Sequence, residues 1–288
     1  SETQLTIPAT LDGKTVTVIG YETFRDNDVL TSVAMSDNIK KIEQEAFCDC
    51  TNLREIEFSN NIEDIYGDAF NGTMWLSEKQ KENPLVTVNG ILVNGRNCEG
   101  SVVIPDTVTS ISVGAFWNSA VTDVTIPDTV TSMGDAFDGC SNLKSIRLSN
   151  NITYIDDYTF IGCRSLASIT LPDGIQEIRE YAFKGCRSLT SIVIPDGTTF
   201  IGGAAFADCT ALASISIPDS VTTIECNAFS GTSWLDNKKA TESFVIINVK
   251  PVDRYIYVGG CKYGVIEYET PKGSFIGLEK PELYPLIL

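Results

Sequence analysis

Cysteine is the residue type in this chain best equipped for chemistry, with nine copies, and Cys140, Cys163, Cys186 and Cys209 follow one another at intervals of 23 residues, with Cys50 in the same slot upstream. Two kinds of site could use such a grid. A zinc site needs ligands that converge to within about 2.3 Å of one point, whereas thiols in successive repeats diverge along an axis. Disulfides between neighbours meet a related obstacle: coils about 4.8 Å apart bring Cα atoms into range, yet parallel side chains leave the Cβ atoms beyond the usual separation of about 3.8 Å. The spacing therefore predicts a structural ladder of buried thiols, small hydrophobes that donate weakly to nearby carbonyls. Cys48, Cys98, Cys226 and Cys261 lie off the grid and are the better candidates for exposed or paired thiols. Nine is odd, so at least one thiol has no partner within the chain.

Carboxylates come next. The groups "DNDV", "DIYGD" and "YIDDY" could attract calcium, but none has the D-x-D-x-D-G order that wraps one ion, and they read as solvated corners. Glu55 and Glu57 would face the same way from one strand and supply the residue type of a glycoside hydrolase. A flat, open face offers little to desolvate an acid, so a hydrolase is a remote alternative. Histidine is absent, which removes Ser-His-Asp and Cys-His catalysis, histidine zinc sites and histidine pH switching. There is no nucleophile motif and no P-loop, and "VGGCKYG" has glycines without a following helix. The expectation is a non-enzymatic protein without metal or cofactor.

A net charge of -17 lacks the electrostatic footprint for nucleic acid or anionic lipid. No stretch is apolar enough to span a bilayer, so membrane insertion is not expected. The 43% hydrophobic, 20% charged composition is that of a folded soluble chain.

The elements that must carry these residues follow from the period. Phe24, Phe47, Phe70, Phe116, Phe137, Phe160, Phe183, Phe206 and Phe229 recur at steps of 21 or 23 residues apart from one double step of 46, with Val93 in the skipped slot. Most lines fit L-x-x-I-x-I-P-x-x-V-x-x-I-x-x-x-A-F-x-x-C, as in "LASITLPDGIQEIREYAFKGC". Such self-similarity signals a solenoid, because one short coil cannot bury its apolar flanks alone and stacking lets each neighbour cover the next. Leu143, Ile146 and Leu148 would turn inward from an extended segment. Pro127, Pro172, Pro195 and Pro218 would then stop the ladder, and a shorter extended piece would lead to the Ala-Phe pair.

The L-x-x-I-x-I-P and A-F-x-x-C arrangement resembles the BspA-type (Treponema-type) leucine-rich repeats of bacterial surface proteins, over about residues 5 to 235. "LTIPATLDGKTVTVIGYETF" resembles the first repeat of that family, where a "DGK" hairpin lengthens the coil. The resemblance implies a β-rich, right-handed leucine-rich-repeat solenoid of about ten coils, with parallel strands on its concave side, exported to the cell surface and used in adhesion or recognition. An extracellular or cell-surface location is thus expected, with any export signal already removed.

Two coils depart from the template. "NGTMWLSEKQKENPLVTVNGILV" and "GTSWLDNKKATESFVIINV" share their opening, Trp75 matching Trp234, which predicts bulged coils near 71–92 and 230–250 with a short helix or loop packed by its tryptophan over the adjacent phenylalanine. A sugar-stacking role for these tryptophans is the functional alternative. Residues 1–242 are read as the solenoid and 243–288, with alternating "RYIYV" and "GVIEYE", as a C-terminal capping hairpin.

What remains is a surface. Outward positions of the long strands are Glu55, Glu57, Asp123, Thr125, Ser145, Arg147, Ser168, Thr170, Ser191, Ser214 and Ser216, a flat face rich in hydroxyls. Short side chains lose little entropy on docking, which suits broad contact with a protein or glycan. Tyr154 and Phe200 break the polar habit of the second segment and are candidate aromatic anchors. The leading expectation is a monomeric recognition or adhesion protein for host or bacterial proteins or glycans; the alternative is an inert spacer presenting another module.

Overall fold

The computed structural model describes residues 3–241, 255–258, 261–270 and 273–279, with side chains over 3–237. It is a β-solenoid of about nine turns. The count is one below the ten expected, because the line holding Val93 makes no Ala-Phe corner. The chain divides into two compact units, Ser1–Cys140 and Ser141–Leu288, each described by itself.

In the first unit the apolar spacing of the long segment produces a parallel sheet of Gln4–Ile7, Ser32–Met35 and Glu55–Glu57, with Ser32 beside Glu55 and Ala34 beside Glu57. Val18–Ile19, Lys41–Ile42 and Asp64–Ile65 form the second parallel ladder. The "DGK" turn closes the hairpin Thr10–Leu11/Lys14–Thr15, and Asp12 and Gly13 both adopt positive φ, 51° and 75°, as a two-residue hairpin turn requires. Beyond the irregular coil, Glu99–Val103 runs parallel to Ala120–Thr125.

The second unit repeats the plan. Tyr154–Ile155, Glu177–Ile178, Phe200–Ile201 and Thr223–Ile224 form one parallel sheet, and Ser191–Val193 pairs with Ser214–Ser216. Residues 167–171 form no strand. Their central Ile169 is only half-buried, unlike Ile146 and Ile192 at the equivalent place, so this segment is less firmly seated.

The Ala-Phe corner builds the core. Rings stack coil on coil, Phe24 on Phe47 at 5.1 Å and Phe47 on Phe70 at 5.5 Å, then Phe160, Phe183, Phe206 and Phe229 at 5.3, 5.2 and 5.6 Å. The backbone forms its own ladder here: the Phe24, Phe47, Phe116, Phe160, Phe183 and Phe206 N–H groups donate to the corner Ala of the next coil, as in Phe183 to Ala205 O at 2.7 Å. The thiols sit just behind: Cys50 donates to Phe24 O at 2.9 Å, Cys140 to Phe116 O at 3.0 Å, Cys186 to Phe160 O at 3.2 Å and Cys209 to Phe183 O at 3.0 Å. Cys163 is equally buried.

In both irregular coils a threonine replaces that cysteine and starts a helix. Thr73 opens α1, Met74–Glu82, where its hydroxyl donates to Phe70 O at 2.7 Å and accepts from Leu76 N–H at 3.1 Å. Thr232 does the same for α2, Ser233–Thr241, with Phe229 O at 2.8 Å and Leu235 N–H at 3.1 Å. Each hydroxyl thus caps its helix and closes the turn onto the phenylalanine of its own coil, whereas the cysteine it replaces reaches the coil before. Trp75 packs on Phe70 at 4.9 Å and Trp234 on Phe229 at 5.1 Å, so both tryptophans are packing residues.

At the C-terminal end, Tyr255–Val258, Cys261–Thr270 and Gly273–Glu279 form an antiparallel meander, adding a third strand to the expected hairpin. The rest of the expected bulge at 242–250 lies outside the described residues.

Two thiols read as exposed or paired from the sequence are neither: Cys48 is 8% and Cys98 4% exposed, and both are free. Cys48 lies beside the cleft described below, and Cys98 is folded under by the turn whose Cys98 N–H donates to Gly95 O at 2.9 Å. Cys226 is exposed and free, and the Cys261 side chain lies outside the described residues.

Candidate functional site

The strand-face residues arrive in separate groups. Glu55 and Glu57 are exposed on one face of the first sheet, and Asp123 and Thr125 stand half-buried beside Ser101 and Val103 in another. In the second unit Ser145 and Arg147 are exposed on Ser145–Arg147, Ser191 pairs with Ser214 and Val193 with Ser216. Ser168 and Thr170 are exposed but belong to no strand. The face is therefore polar and open, and it is broken rather than continuous.

The aromatic anchors are partly spoken for. The Arg179 guanidinium lies 4.0 Å from the Tyr154 ring centre and bonds Asp156 at 2.7 Å and Glu177 at 2.8 Å, so Tyr154 is covered. Phe200 is half-buried and lines a shallow cavity of about 270 Å³ with Asp157, Glu177, Arg179, Glu180 and Glu225.

A second cavity, of about 360 Å³, was not foreseen, and it arises where the repeat is interrupted. In the other coils of the first unit the residue before the corner Ala or Thr is acidic, Glu22, Glu45, Asp68 and Asp135, whereas the second unit has Tyr158, Tyr181, Ala204 and Asn227 there. Gly114 takes that place after the irregular coil. The coil at Gly67 bonds past its successor, Gly67 N–H to Val113 O at 2.9 Å, and the intervening turn is cut short at Gly95. Gly95 is required there, because a Cβ would stand 2.5 Å from Phe116 Cε1. Buried Asn94 ties the shortcut together, donating to Gly67 O at 3.2 Å and accepting from Gln80 at 2.9 Å and from Arg96 N–H at 3.1 Å.

Arg96 then occupies the space that a side chain at Gly114 would fill. Its Nε donates to Gly114 O at 3.2 Å, and its guanidinium lies 5.1 Å from the Trp117 ring centre. It makes no ion pair among the described residues, although Asp68 and Asp135 both favour its charge. Asp135 accepts from Gly114 N–H at 2.8 Å, and the Trp117 side chain favours the charged form of Asp138. Burial raises both carboxyls above the ordinary aspartate range, and Asp135 raises Asp138 further. Burial likewise lowers Arg96. Tyr66, Gln44, Glu45, Cys48, Asn71 and Val113 complete the lining. Trp117 keeps 48% of its surface in solvent. The sequence signals available for this site were the glycine at 114, between acidic residues at the same place in the coils on either side, and the tryptophan directly after a corner phenylalanine.

Among the described residues no group of three or more cysteines, aspartates and glutamates is placed to hold a metal ion, and no helix is long and apolar enough to cross a membrane.

The corner ladder, the in-register strands and the phenylalanine stack are the geometry of one repeat type, and the family model for the BspA type leucine-rich repeat region matches six copies over residues 17–136, 96–176 and 134–251. The chain belongs to the BspA-type leucine-rich repeat family. Solved structures similar to it include a leucine-rich cell surface protein from Faecalibacterium prausnitzii, 24% identical, covering 75% of this chain and 88% of the other at a TM-score of 0.46. A leucine-rich repeat protein from Bacteroides ovatus is 24% identical, covering 79% and 62% at 0.41. The leucine-rich repeat protein of T. pallidum is 25% identical, covering 65% and 78% at 0.34. No curated protein matches the chain. Family membership accounts for the scaffold of this BspA-type chain; the cleft follows from its own interruption at Gly95 and Arg96.

Proposed function

We propose that this chain is a non-enzymatic recognition protein of the bacterial cell surface, binding a protein or glycan through the face of its repeats as a monomer. The observation that carries the reading is the strand face itself. Glu55 and Glu57, Ser145 and Arg147, and Ser191 with Ser214 are exposed on ladder-held backbone, so docking costs little ordering entropy. The F. prausnitzii relative, described as a cell surface protein, supports the location. Glu55 and Glu57 stand in open solvent, which argues against a role as general acid.

The test is binding of the purified chain to arrays of extracellular-matrix proteins and glycans at low and physiological salt. Saturable binding that is lost in the Glu55→Ala, Glu57→Ala, Arg147→Ala triple variant is the expected result. Silence across both arrays would favour the inert spacer.

A further inference from the structure

We infer that the cleft beside Arg96 and Trp117 is a binding site for a neutral saccharide residue. This deepens the recognition reading and rests on it for its setting, but it uses residues apart from the strand face, so the two can fail separately.

The argument starts from what the cleft offers. Asp68 and Asp135 only accept hydrogen bonds when ionised, whereas the Arg96 guanidinium only donates. Both kinds line one cavity of about 360 Å³, near the lower end of the size range of small-molecule sites. A simple anion entering it would meet four carboxylates, Glu45, Asp68, Asp135 and Asp138, and a simple cation would have to sit against the Arg96 guanidinium. Hydroxyl groups satisfy both, because each donates and accepts. Vicinal hydroxyls on a ring place such groups at the spacing of adjacent side chains, and the Gln44 and Asn71 amides offer further donors and acceptors.

Trp117 supplies the other half of saccharide recognition, an apolar plane. Arg96 lies over one side of the ring, 5.1 Å from its centre, so one face is held before any ligand arrives. The ring nonetheless remains 48% exposed. A wet aromatic surface beside donors and acceptors suits the C–H face of a sugar, whose other edge carries the hydroxyls. Trp75, the tryptophan of the irregular coil, is buried and cannot play this part.

The arrangement also yields a clean variant. Gly114 has φ +68°, and Glu22 and Glu45 hold the same corner position at φ 51° and 56°. A Cβ at Gly114 meets nothing nearer than Arg96 Nη2 at 3.4 Å. Gly114→Asp should therefore fold, pair with Arg96 and close the cleft, with its Cβ in ordinary contact with Trp117 Cβ at 4.0 Å.

The experiment is proton saturation-transfer NMR on the whole chain with glucose, galactose, mannose, N-acetylglucosamine and their β-linked disaccharides at millimolar concentration. Arginine amide and Nα-acetyl-lysine amide serve as cationic comparators. We expect saturable transfer to the ring C–H protons of at least one sugar, weakened about tenfold or more by Trp117→Ala and by Gly114→Asp. The Glu55→Ala, Glu57→Ala variant should bind that sugar as the parent does. Thermal unfolding confirms that each variant is folded, and either one of them alone suffices for the test. No saturable transfer from any sugar, transfer that survives both cleft variants, or binding of the cationic amides alone would overturn the proposal.

Discussion

The Cys209 thiol donates to the carbonyl of Phe183, one coil earlier, at 3.0 Å, and the Phe183 ring stacks on Phe206 at 5.2 Å. Thiol and ring therefore brace the same corner from two sides. Phe183 O keeps its bond from Cys186 N–H at 3.1 Å, so removing the thiol costs one hydrogen bond and leaves no unsatisfied carbonyl, an effect of about 0.5–1.5 kcal/mol. Cys209→Ala should lower stability in urea by that amount. Cys226→Ala, at an exposed thiol, should stay within about 0.5 kcal/mol.

Thiol chemistry follows from the same burial. In a Cys261→Ser background, Ellman's reagent should react quickly with Cys226 alone, and with the buried thiols only as the chain unfolds. More than one fast thiol would contradict the ladder.

Alkaline pH probes those thiols in another way. Burial pushes the Cys98 and Cys140 thiols up to about 11 and Cys48 to about 12, with Asp49 adding to the last. A thiol in the unfolded chain ionises near pH ~8.5. The folded state thus prefers the protonated form. Its advantage is whole below pH ~8.5 and disappears as pH rises through the folded values near 11 to 12. The melting temperature should fall with pH above ~9, and Cys98→Ala should fall less steeply than the parent.

Most of the scaffold could be read directly from residue types. Phenylalanine and cysteine at a fixed interval imply stacked corners, and the loss of that pattern between Phe70 and Phe116 marks where a coil departs from it. The matching "WL" segments mark a short helix or loop in both irregular coils, and the capping role of Thr73 and Thr232 emerges only from the structure. The cleft was not. It depends on Gly67 bonding past its neighbour to Val113, a long-range choice that no local spacing encodes. Cys48 and Cys98 misled for a related reason. Position relative to a grid says nothing of burial when the interrupted coil folds over the corner.

Glycine substitutions separate the interruption from the ordinary coil. Gly95→Ala should destabilise by about 1–3 kcal/mol, because its Cβ would press on the Phe116 ring at 2.5 Å inside a packed core. Gly174→Ala meets nothing nearer than Ile152 O at 3.6 Å and should be neutral or stabilise by up to about 1 kcal/mol. Paired urea curves decide the matter.

The threonine caps give a further check. Thr73→Ala removes the acceptor for Leu76 N–H and the donor to Phe70 O together, and should cost about 1–2 kcal/mol. Thr73→Ser keeps both groups and should recover most of the loss. Equal damage from the two substitutions would show that the methyl group, and not the hydroxyl, matters.

The central claim is that the surface built by the repeats recognises a partner. Hydrogen exchange of the intact chain, with and without whichever ligand the arrays retain, tests it most directly. The account predicts slowed exchange at repeat backbone amides within residues 3–241, around the strand face or around Arg96 and Gly114. Protection confined to residues beyond 241 would contradict it and make the solenoid a spacer.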